Sequence, residues 1–281
     1  MNVVHNIQEV RAYIKAWRKE GLSIGFVPTM GYLHEGHQSL IEKAVSENDK
    51  VVVSIFINPM QFGPKEDLAS YPRDLEQDCL LCEKIGTTLV FNPEPEEMYT
   101  GDFCSFVDML GLTEGLCGKS RPTHFRGVCT VVTKLFNIVQ PDRAYFGQKD
   151  AQQLAVIKQM VEDLNIDVQI IGCPIVRETD GLAKSSRNTY LSEVERKATL
   201  VLSHSLKEGR LLLESGETSV EKIVGQIVRG IEQEPLARLD YVEIVDAKTL
   251  QGVERVERSV LVAIAVYIGN TRLIDNFTFE C

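Results

Sequence analysis

The stretch Ile24–His37, with the sequence IGFVPTMGYLHEGH, places an apolar run directly before a turn that contains two histidines. Residues 24–27 predict a buried strand, and residues 39–45, SLIEKAV, predict a helix. His34 and His37 therefore lie where a strand ends and a helix begins, which is where open α/β sheets bind ligands. Free N–H groups at a helix start favour anions, and imidazoles there donate to phosphate oxygens or transfer protons. The turn thus predicts nucleotide phosphate chemistry.

Strands and helices alternate on both sides of this turn. Apolar spacing and turn residues predict helices over 6–20, 72–84, 127–139 and 150–164, and strands over 50–58, 87–91, 143–146 and 168–176. Residues 92–125 are rich in glycine and proline and predict irregular structure. The alternation predicts an α/β fold, a Rossmann-like parallel sheet with helices on both faces.

The pattern changes after Arg187. Two amphipathic helices are predicted over 193–215 and 220–232, and three strands follow over 240–245, 259–265 and 271–276. Helices followed by strands, without alternation, predict a smaller C-terminal α+β domain. We therefore expect a first domain over residues 1–178 and a second over 179–281.

Composition narrows the class of protein. The chain has 281 residues, 44% of them hydrophobic, and a net charge of −10, which argues against broad binding to nucleic acid or anionic membranes. No apolar stretch approaches the roughly 20 residues that span a bilayer, and the N-terminus does not read as a signal peptide. We expect a cytoplasmic protein, whose seven cysteines are reduced thiols in or near a core.

Three further segments carry side chains suited to a nucleotide or a small acid. KSSRN, residues 184–188, offers cations and hydroxyls in a loop, and GQKD, residues 147–150, lies between a predicted strand and a helix. NPMQF, residues 58–62, follows the strongest strand, where Asn58 and Gln61 can hydrogen-bond a polar substrate. Each segment alone is also explained by capping or a turn. Together they predict one ligand-binding edge of the sheet.

Other kinds of site fit the sequence less well. HEGH, residues 34–37, is one residue short of the zinc motif HExxH. Gly118-Lys119-Ser120 imitates the end of a P-loop, but Thr113 stands where that motif needs glycine. No GxGxxG follows a predicted strand and no GxSxG occurs, so dinucleotide-binding and serine hydrolase sites are unsupported.

Longer strings in the same order resemble a known family. FVPTMGYLHEGHQSLI, NPMQFGPKEDLASYPRDLEQDC, RPTHFRGVCTVVTKLFNIVQPDRAYFGQKDAQQL and DGLAKSSRNTYLS are similar to the pantothenate synthetase (pantoate–β-alanine ligase) family of the HxGH nucleotidyltransferase superfamily. The resemblance runs from about residue 24 to 192 and is weaker beyond. It implies a ligase of the coenzyme A pathway that uses ATP and Mg²⁺ to condense pantoate with β-alanine through a pantoyl adenylate, releasing AMP and diphosphate. It also implies a homodimer.

The same resemblance implies roles for individual residues. Gln61 and Gln153 would bind pantoate. His37, as proton donor, His34, Lys149, Ser185, Ser186 and Arg187 would be catalytic. The residues implied to hold ATP are Met30, Gly31, Tyr32, Leu33, His34, Glu35, Gly36, His37, Gly147, Gln148, Lys149, Asp150, Val176, Lys184, Ser185, Ser186 and Arg187. The magnesium ligands stay open among Asp74, Asp78 and Asp150.

One position departs from the family pattern. Lys184 stands where the family often has methionine before Ser-Ser-Arg-Asn. The extra cation would either strengthen ATP binding or be tolerated. Three other readings also stay open: a related nucleotidyltransferase acting on another acid, a non-catalytic nucleotide-binding regulator, and a structural or nucleic-acid-binding protein.

Overall fold

Six parallel strands form the first sheet of the computed structural model, which describes residues 1–64 and 66–281. Lys65, within one of the strings quoted above, lies outside the described residues. The strands are β1 (Asn2–Val4), β2 (Ile24–Thr29), β3 (Lys50–Ile55), β4 (Leu89–Phe91), β5 (Arg143–Gly147) and β6 (Gln169–Cys173). Their order in the sheet is β1-β4-β3-β2-β5-β6. The chain runs outward from β2 in one direction and resumes at β5 on its other side, and such a reversal opens a crevice at the carboxyl ends of the strands.

Helices cover both faces of this sheet. The helices in this part of the chain are α1 (Ile7–Lys19), α2 (Glu35–Glu47), α3 (Leu75–Ile85), α4 (Pro95–Met98), α5 (Leu116–Ser120), α6 (His124–Val139) and α7 (Ala151–Asp163), of which α5 belongs to the C-terminal compact unit and not to this sheet. Successive residues of β2 point to opposite faces. Phe26 stacks edge-on against Phe136 of α6, whereas Val27 packs with Ile41 of α2. The predicted doubly covered parallel sheet is confirmed.

The rest of the chain forms helices followed by an antiparallel sheet. The elements are α8 (Glu193–Ala198), α9 (Leu200–Glu214), α10 (Val220–Glu232), β7 (Ala237–Asp246), β8 (Val260–Ile268) and β9 (Thr271–Phe279). The strands pair in the order β7-β8-β9. One apolar face of the sheet packs against α9 and α10 through residues such as Ile227, Ile264 and Phe277. The predicted α+β part is confirmed.

The contacts between residues divide the described chain into two compact units. The first comprises residues 1–109, 121–148 and 153–174, and the second comprises 110–120, 149–152 and 175–281. The domain boundary near residue 178 stays a prediction, because compact units need not fold separately. None of the described helices combines the length and the apolar content that a bilayer crossing requires.

Several predicted elements were wrong in detail. The sequence did not predict β1, a three-residue edge strand that depends on its pairing with β4. The predicted helix 193–215 is two helices, because the Thr199 hydroxyl donates to the Arg196 carbonyl (2.6 Å), a bond that bends helices. Two short helices, α4 and α5, interrupt the segment expected to be irregular. Four cysteines are buried and Cys79 is half-buried, but Cys104 and Cys281 are exposed.

Candidate active site

Two consecutive residues with a left-handed backbone conformation shape the turn after β2. Gly31 has φ +84° and Tyr32 has φ +52°. A Cβ at Gly31 would lie 2.9 Å from Ile55 Cγ2 and 3.0 Å from Asp78 Oδ2. Glycine is therefore required here both for the backbone angle and for space. The turn brings His34 to the start of α2 as its N-cap.

Asp78 of α3 holds this turn from outside it. Its Oδ2 accepts the Tyr32 N–H at 2.8 Å, and its Oδ1 accepts the Leu33 N–H at 2.6 Å. The side chain is only 3% exposed. Burial raises the pKa of Asp78, and the two backbone N–H groups act in the opposite direction. The sequence left Asp78 open as a magnesium ligand, whereas both of its oxygens are bound to the backbone.

The two imidazoles close a cap on α2. His34 Nδ1 accepts the Gly36 N–H at 3.0 Å, and His37 Nδ1 accepts the His34 N–H at 3.3 Å. The ring centroids lie 4.1 Å apart. A ring nitrogen that accepts a hydrogen bond carries no proton, so this geometry assigns the ring proton of both residues to Nε2. In each ring Nε2–H is therefore the donor.

Two buried amides lie beyond the end of β3. The Asn58 amide donates to Gln61 Oε1 and to the Gly127 carbonyl, both at 3.1 Å, and its oxygen accepts the Tyr99 hydroxyl at 2.8 Å. Gln61 Nε2 points at Met30 Sδ, 3.1 Å away. Because thioether sulfur is a weak acceptor, Gln61 keeps a donor for which a carboxylate or hydroxyl would be a better partner. Asn58 instead orients Gln61.

Residues that the sequence reasoning did not single out surround these amides. His124 Nδ1 lies 3.0 Å from the Gln61 carbonyl, and Arg121 forms a two-pronged ion pair with Glu66 at 2.6 and 2.7 Å. Both belong to the quoted string RPTHFRGV, so the family resemblance contained the signal. Asp78 was named only as an open magnesium ligand, and its role in holding the turn had no local signal, because its partners lie 46 and 45 residues away.

The remaining predicted residues of the first unit lie on or after β5. Gly147 ends β5, the neighbour of β2 in the sheet, and Gln148 follows it. Gln153 lies half-buried in the first turn of α7. The first unit therefore brings together the Met30–His37 turn, Asn58 and Gln61 through the Met30 and Asp78 contacts described above.

The second unit holds the other predicted residues. Lys149 Nζ lies 3.6 Å from the Asp150 carboxylate, and the Lys149 carbonyl accepts the Asn276 amide at 2.8 Å. Ser185 Oγ caps a short turn, Ser186–Tyr190, by accepting the Arg187 N–H at 3.3 Å. Ser186 is buried. The Val176 carbonyl accepts the Lys184 N–H at 2.9 Å. The backbone between these two residues therefore forms a hairpin that leads into the turn.

Lys184, the departure from the family pattern, is paired. Its ammonium lies 2.9 Å from Glu178 Oε2 within the same hairpin. The added positive charge is therefore balanced locally by a carboxylate. This geometry favours tolerance over stronger nucleotide binding.

The carboxylates do not form a metal cage. Asp74 accepts the Gln77 N–H as the cap of α3, and Asp78 is bound to the turn. Across residues 1–64 and 66–281, no three His, Cys, Asp or Glu side chains are grouped to hold a metal ion. These residues therefore offer no all-protein cage, a kind of site that Mg²⁺ rarely uses.

Comparison with known proteins adds the family. The model of the family described as pantoate-beta-alanine ligase matches residues 2–278. The chain is 63% identical over 280 residues to the pantothenate synthetase of Clostridium botulinum (strain Loch Maree), with both chains fully covered, and 62% identical to that of Clostridium acetobutylicum, again over the full length of both.

Solved structures agree with the relatives. The fold matches pantothenate synthetase from Thermus thermophilus with a TM-score of 0.93 and 44% identity over 99% of both chains. It also matches a pantoate-beta-alanine ligase from Francisella tularensis, complexed with beta-gamma ATP and beta-alanine, with a TM-score of 0.81 and 36% identity over 99% and 97% of the two chains. With its characteristic turn, its fold and its whole length in agreement, this chain belongs to the pantoate–β-alanine ligase family, the ATP-dependent enzymes that join pantoate to β-alanine.

Proposed function

We propose that this chain activates pantoate as pantoyl adenylate and then transfers the acyl group to β-alanine. A carboxylate does not acylate an amine at neutral pH, so ATP must first supply a leaving group. The pantoate carboxylate attacks the α-phosphorus of ATP and diphosphate departs. The β-alanine amine then attacks the acyl carbon, loses a proton and displaces AMP, which leaves pantothenate.

The observation that carries this proposal is the capped histidine turn. Adenylation increases negative charge on the phosphoryl oxygens and on the departing diphosphate. Two Nε2–H donors at the positive end of α2 are suited to that charge. Preorganised donors of this kind contribute up to about 3–4 kcal/mol each to transition-state stabilisation. His34 donates a hydrogen bond to the phosphates through Nε2–H, and His37 has the role of proton donor that the resemblance implied, through the same ring atom.

The residues of the first unit bind two ligands, the acid pantoate and the nucleotide ATP. Gln61 and Gln153 bind pantoate, with Asn58 holding Gln61 in position. The Met30–His37 turn, Gly147 and Gln148 bind ATP. The Gln61 donor, opposite a weak sulfur acceptor, is the feature that supports a polar acid as its ligand.

The residues of the second unit act on the nucleotide. Lys149 and Arg187 neutralise phosphate charge, Ser185 and Ser186 donate to phosphate oxygens, and Val176, Asp150 and Lys184 line the nucleotide. Arginine suits this task because its planar fork matches phosphate oxygens, and lysine acts as a point charge.

Mg²⁺ usually keeps several waters and is held largely by substrate phosphates, so a metal carried by ATP needs few protein ligands. The enzyme works as a homodimer in the cytoplasm, with small molecules as its ligands.

The test is diphosphate exchange into ATP, which reports adenylate formation alone. We expect exchange that depends on pantoate but not on β-alanine, and AMP release that depends on both. His37→Ala should lower the exchange rate by at least about 10²-fold because it removes one preorganised donor. Glu42→Ala, a change on the exposed side of the same helix, is the control. Exchange without pantoate, or a normal rate in His37→Ala, would contradict the proposal.

A further inference from the structure

Two consecutive polar residues of β9 hold both nucleotide segments of the second unit. Asp275 and Asn276 are 2% and 6% exposed, between the apolar residues Leu273 and Phe277. Successive side chains of a strand point to opposite faces. Asp275 therefore reaches its partner from one face of β9 and Asn276 reaches its partner from the other.

Asn276 is bound to the segment that carries Lys149. Its Nδ2 donates to the Lys149 carbonyl at 2.8 Å. That carbonyl belongs to the short turn, residues 148–150, that precedes α7. Fixing it fixes the peptide plane from which the Lys149 side chain leaves the backbone.

Asp275 is bound to the hairpin that leads to Ser185–Arg187. Its two oxygens accept Arg177 Nη1 at 2.7 Å and Nη2 at 2.9 Å. The same guanidinium donates to the Gly181 carbonyl at 3.0 Å, across the hairpin turn. The hydrogen bonds to Asp275 raise the pKa of Arg177.

The hairpin passes this restraint on to the phosphate-binding residues. Arg177 pairs with Ala183 in an antiparallel bridge, and Asn188 Nδ2 donates to the Ala183 carbonyl at 3.1 Å. A position fixed at Arg177 is thus transmitted through Ala183 to the turn that contains Ser185 and Arg187.

Stability alone does not favour this arrangement. The Arg177 side chain is 33% exposed while Asp275 is buried, and an ion pair that desolvates a carboxylate in this way need not add net stability. β9 also pairs with β8 without a break in register at these positions, Ile264 opposite Asp275 and Ala263 opposite Asn276. A regular strand is a rigid frame from which two loops can be held at a fixed separation.

We propose that Asp275 and Asn276 are positioning residues for adenylation, which fix Lys149 and the Ser185–Arg187 turn relative to each other. This inference rests on the proposed roles of Lys149 and Arg187. Misplacing a reacting group by about 1 Å costs on the order of 10²-fold in rate. The two β9 side chains therefore act on the rate of the chemical step through the residues that they hold.

The test compares single and paired variants in pantoate-dependent diphosphate exchange. Asn276→Ala should lower kcat by about 10- to 100-fold, with the KM for pantoate changed less than about twofold. In a Lys149→Ala background it should cause less than about a twofold further loss, because its effect acts through Lys149. Asp275→Asn alone should likewise lower kcat by about 10- to 100-fold. In an Arg187→Ala background it should cause less than about a twofold further loss.

Asp246→Asn is the matched control for stability. Asp246 is a buried carboxylate of β7 that binds Arg258 at 2.8 Å and the Thr249 N–H at 2.7 Å. Urea unfolding should show a loss of stability in all three single variants, whereas Asp246→Asn should retain normal exchange. The inference would be overturned if Asn276→Ala lowered exchange equally in the unmodified chain and in Lys149→Ala. Normal exchange in the Asn276→Ala single variant would overturn it as well. Normal exchange in Lys149→Ala would instead show that the proposed role of Lys149 is wrong.

Discussion

The buried carboxylate of Asp78 fixes the geometry of the histidine turn. Its two oxygens bind consecutive N–H groups, of Tyr32 and Leu33. Tyr32 needs this support, because a non-glycine residue at φ +52° is in the sparsely populated left-handed region. One side chain of α3 thereby stabilises the backbone that presents His34 and His37.

Asp78→Asn should weaken both the fold and the reaction. The amide keeps one acceptor but turns an NH₂ group toward a backbone N–H, so we expect a loss of about 1–3 kcal/mol in the free energy of unfolding. Diphosphate exchange should fall as the turn shifts. Asp74→Asn is the matched control on the same helix, because asparagine caps helices as well as aspartate does. Equal stability and exchange in the two variants would show that Asp78 does not hold the turn.

Lys184→Met should leave nucleotide binding almost unchanged. The Lys184 ammonium is paired with Glu178, and partly exposed pairs contribute only about 0–1 kcal/mol. We expect the KM for ATP to change less than about threefold, which corresponds to a free energy in that range. Lys149→Met, measured in parallel, should lower exchange by about 10²-fold or more. A tenfold rise in the KM for ATP in Lys184→Met would mean that Lys184 binds the phosphates.

At the level of elements, α6 approaches the Asn58–Gln61 turn through a glycine. A Cβ at Gly127 would lie 2.3 Å from the Met60 carbonyl oxygen and 2.6 Å from Gln61 Cα. These are backbone atoms, so they cannot move aside as the end of a side chain would. The Gly127 carbonyl is also the acceptor for the Asn58 amide. Close packing of α6 therefore sets the position of both amides.

Gly127→Ala should destabilise the protein although alanine favours helices. Overpacking of this kind costs about 1–3 kcal/mol or more, and the displaced Gln61 should raise the KM for pantoate. Gly225→Ala in α10 is the control, because there the nearest atom is the end of the Arg229 side chain at 3.4 Å. That variant should gain about 0.5–1 kcal/mol from helix propensity. Thermal unfolding of both variants checks the signs, and a stabilised Gly127→Ala would contradict this account.

The elements that the sequence predicted best are those with a strong local pattern. The β-branched run that begins at Lys50 gave β3, and the apolar spacing of α10 gave its bounds without error. The break at Thr199 was missed because a side-chain hydrogen bond outweighed helical spacing. Strand β1 was missed because three residues carry no periodicity, and only the pairing of Asn2 with Leu89 defines it.

The candidate site was predicted unevenly for the same reason. Motif residues such as His34 and Gln61 were visible because their types and spacing imply chemistry. The structural roles of Asp275, of Asn276 and of Asp78, which the sequence left open as a magnesium ligand, were not, because each acts on backbone or side-chain atoms that are distant in the sequence. Their roles follow only from the fold.

For the whole molecule, acid should be the destabilising direction of pH. Burial raises the pKa of Glu66, but hydrogen bonding and attraction to Arg121 outweigh it, so the net pKa lies below its ordinary value of 4.5. The folded state then binds its proton more weakly than the unfolded state. Its contribution to stability is full above that ordinary value and is lost as the pH falls through the folded-state pKa. The pKa values of Glu47, Asp180 and Asp246 are lowered as well.

Glu66→Gln should therefore make the free energy of unfolding depend less on pH under acidic conditions. We expect the free energy of unfolding to fall less between neutral pH and the range below pH 4.5 than in the unmodified chain. Asp102→Asn is the control, since its lowered pKa comes from a hydrogen bond to exposed Thr100 and solvent screens such groups. Urea titrations at several pH values give the comparison, and an unchanged slope in Glu66→Gln would contradict the role of the ion pair.

The accessibility of the cysteine thiols can be used to measure unfolding of the chain. Cys104 and Cys281 are exposed, whereas burial raises the pKa of Cys82 and Cys129 to about 12. Because the thiolate is the nucleophile, a maleimide dye should attach to the two exposed positions in the native state and to all seven cysteines after denaturation. The mass added in a brief labelling pulse would then count unfolded molecules directly, with no substrate and no assay of turnover.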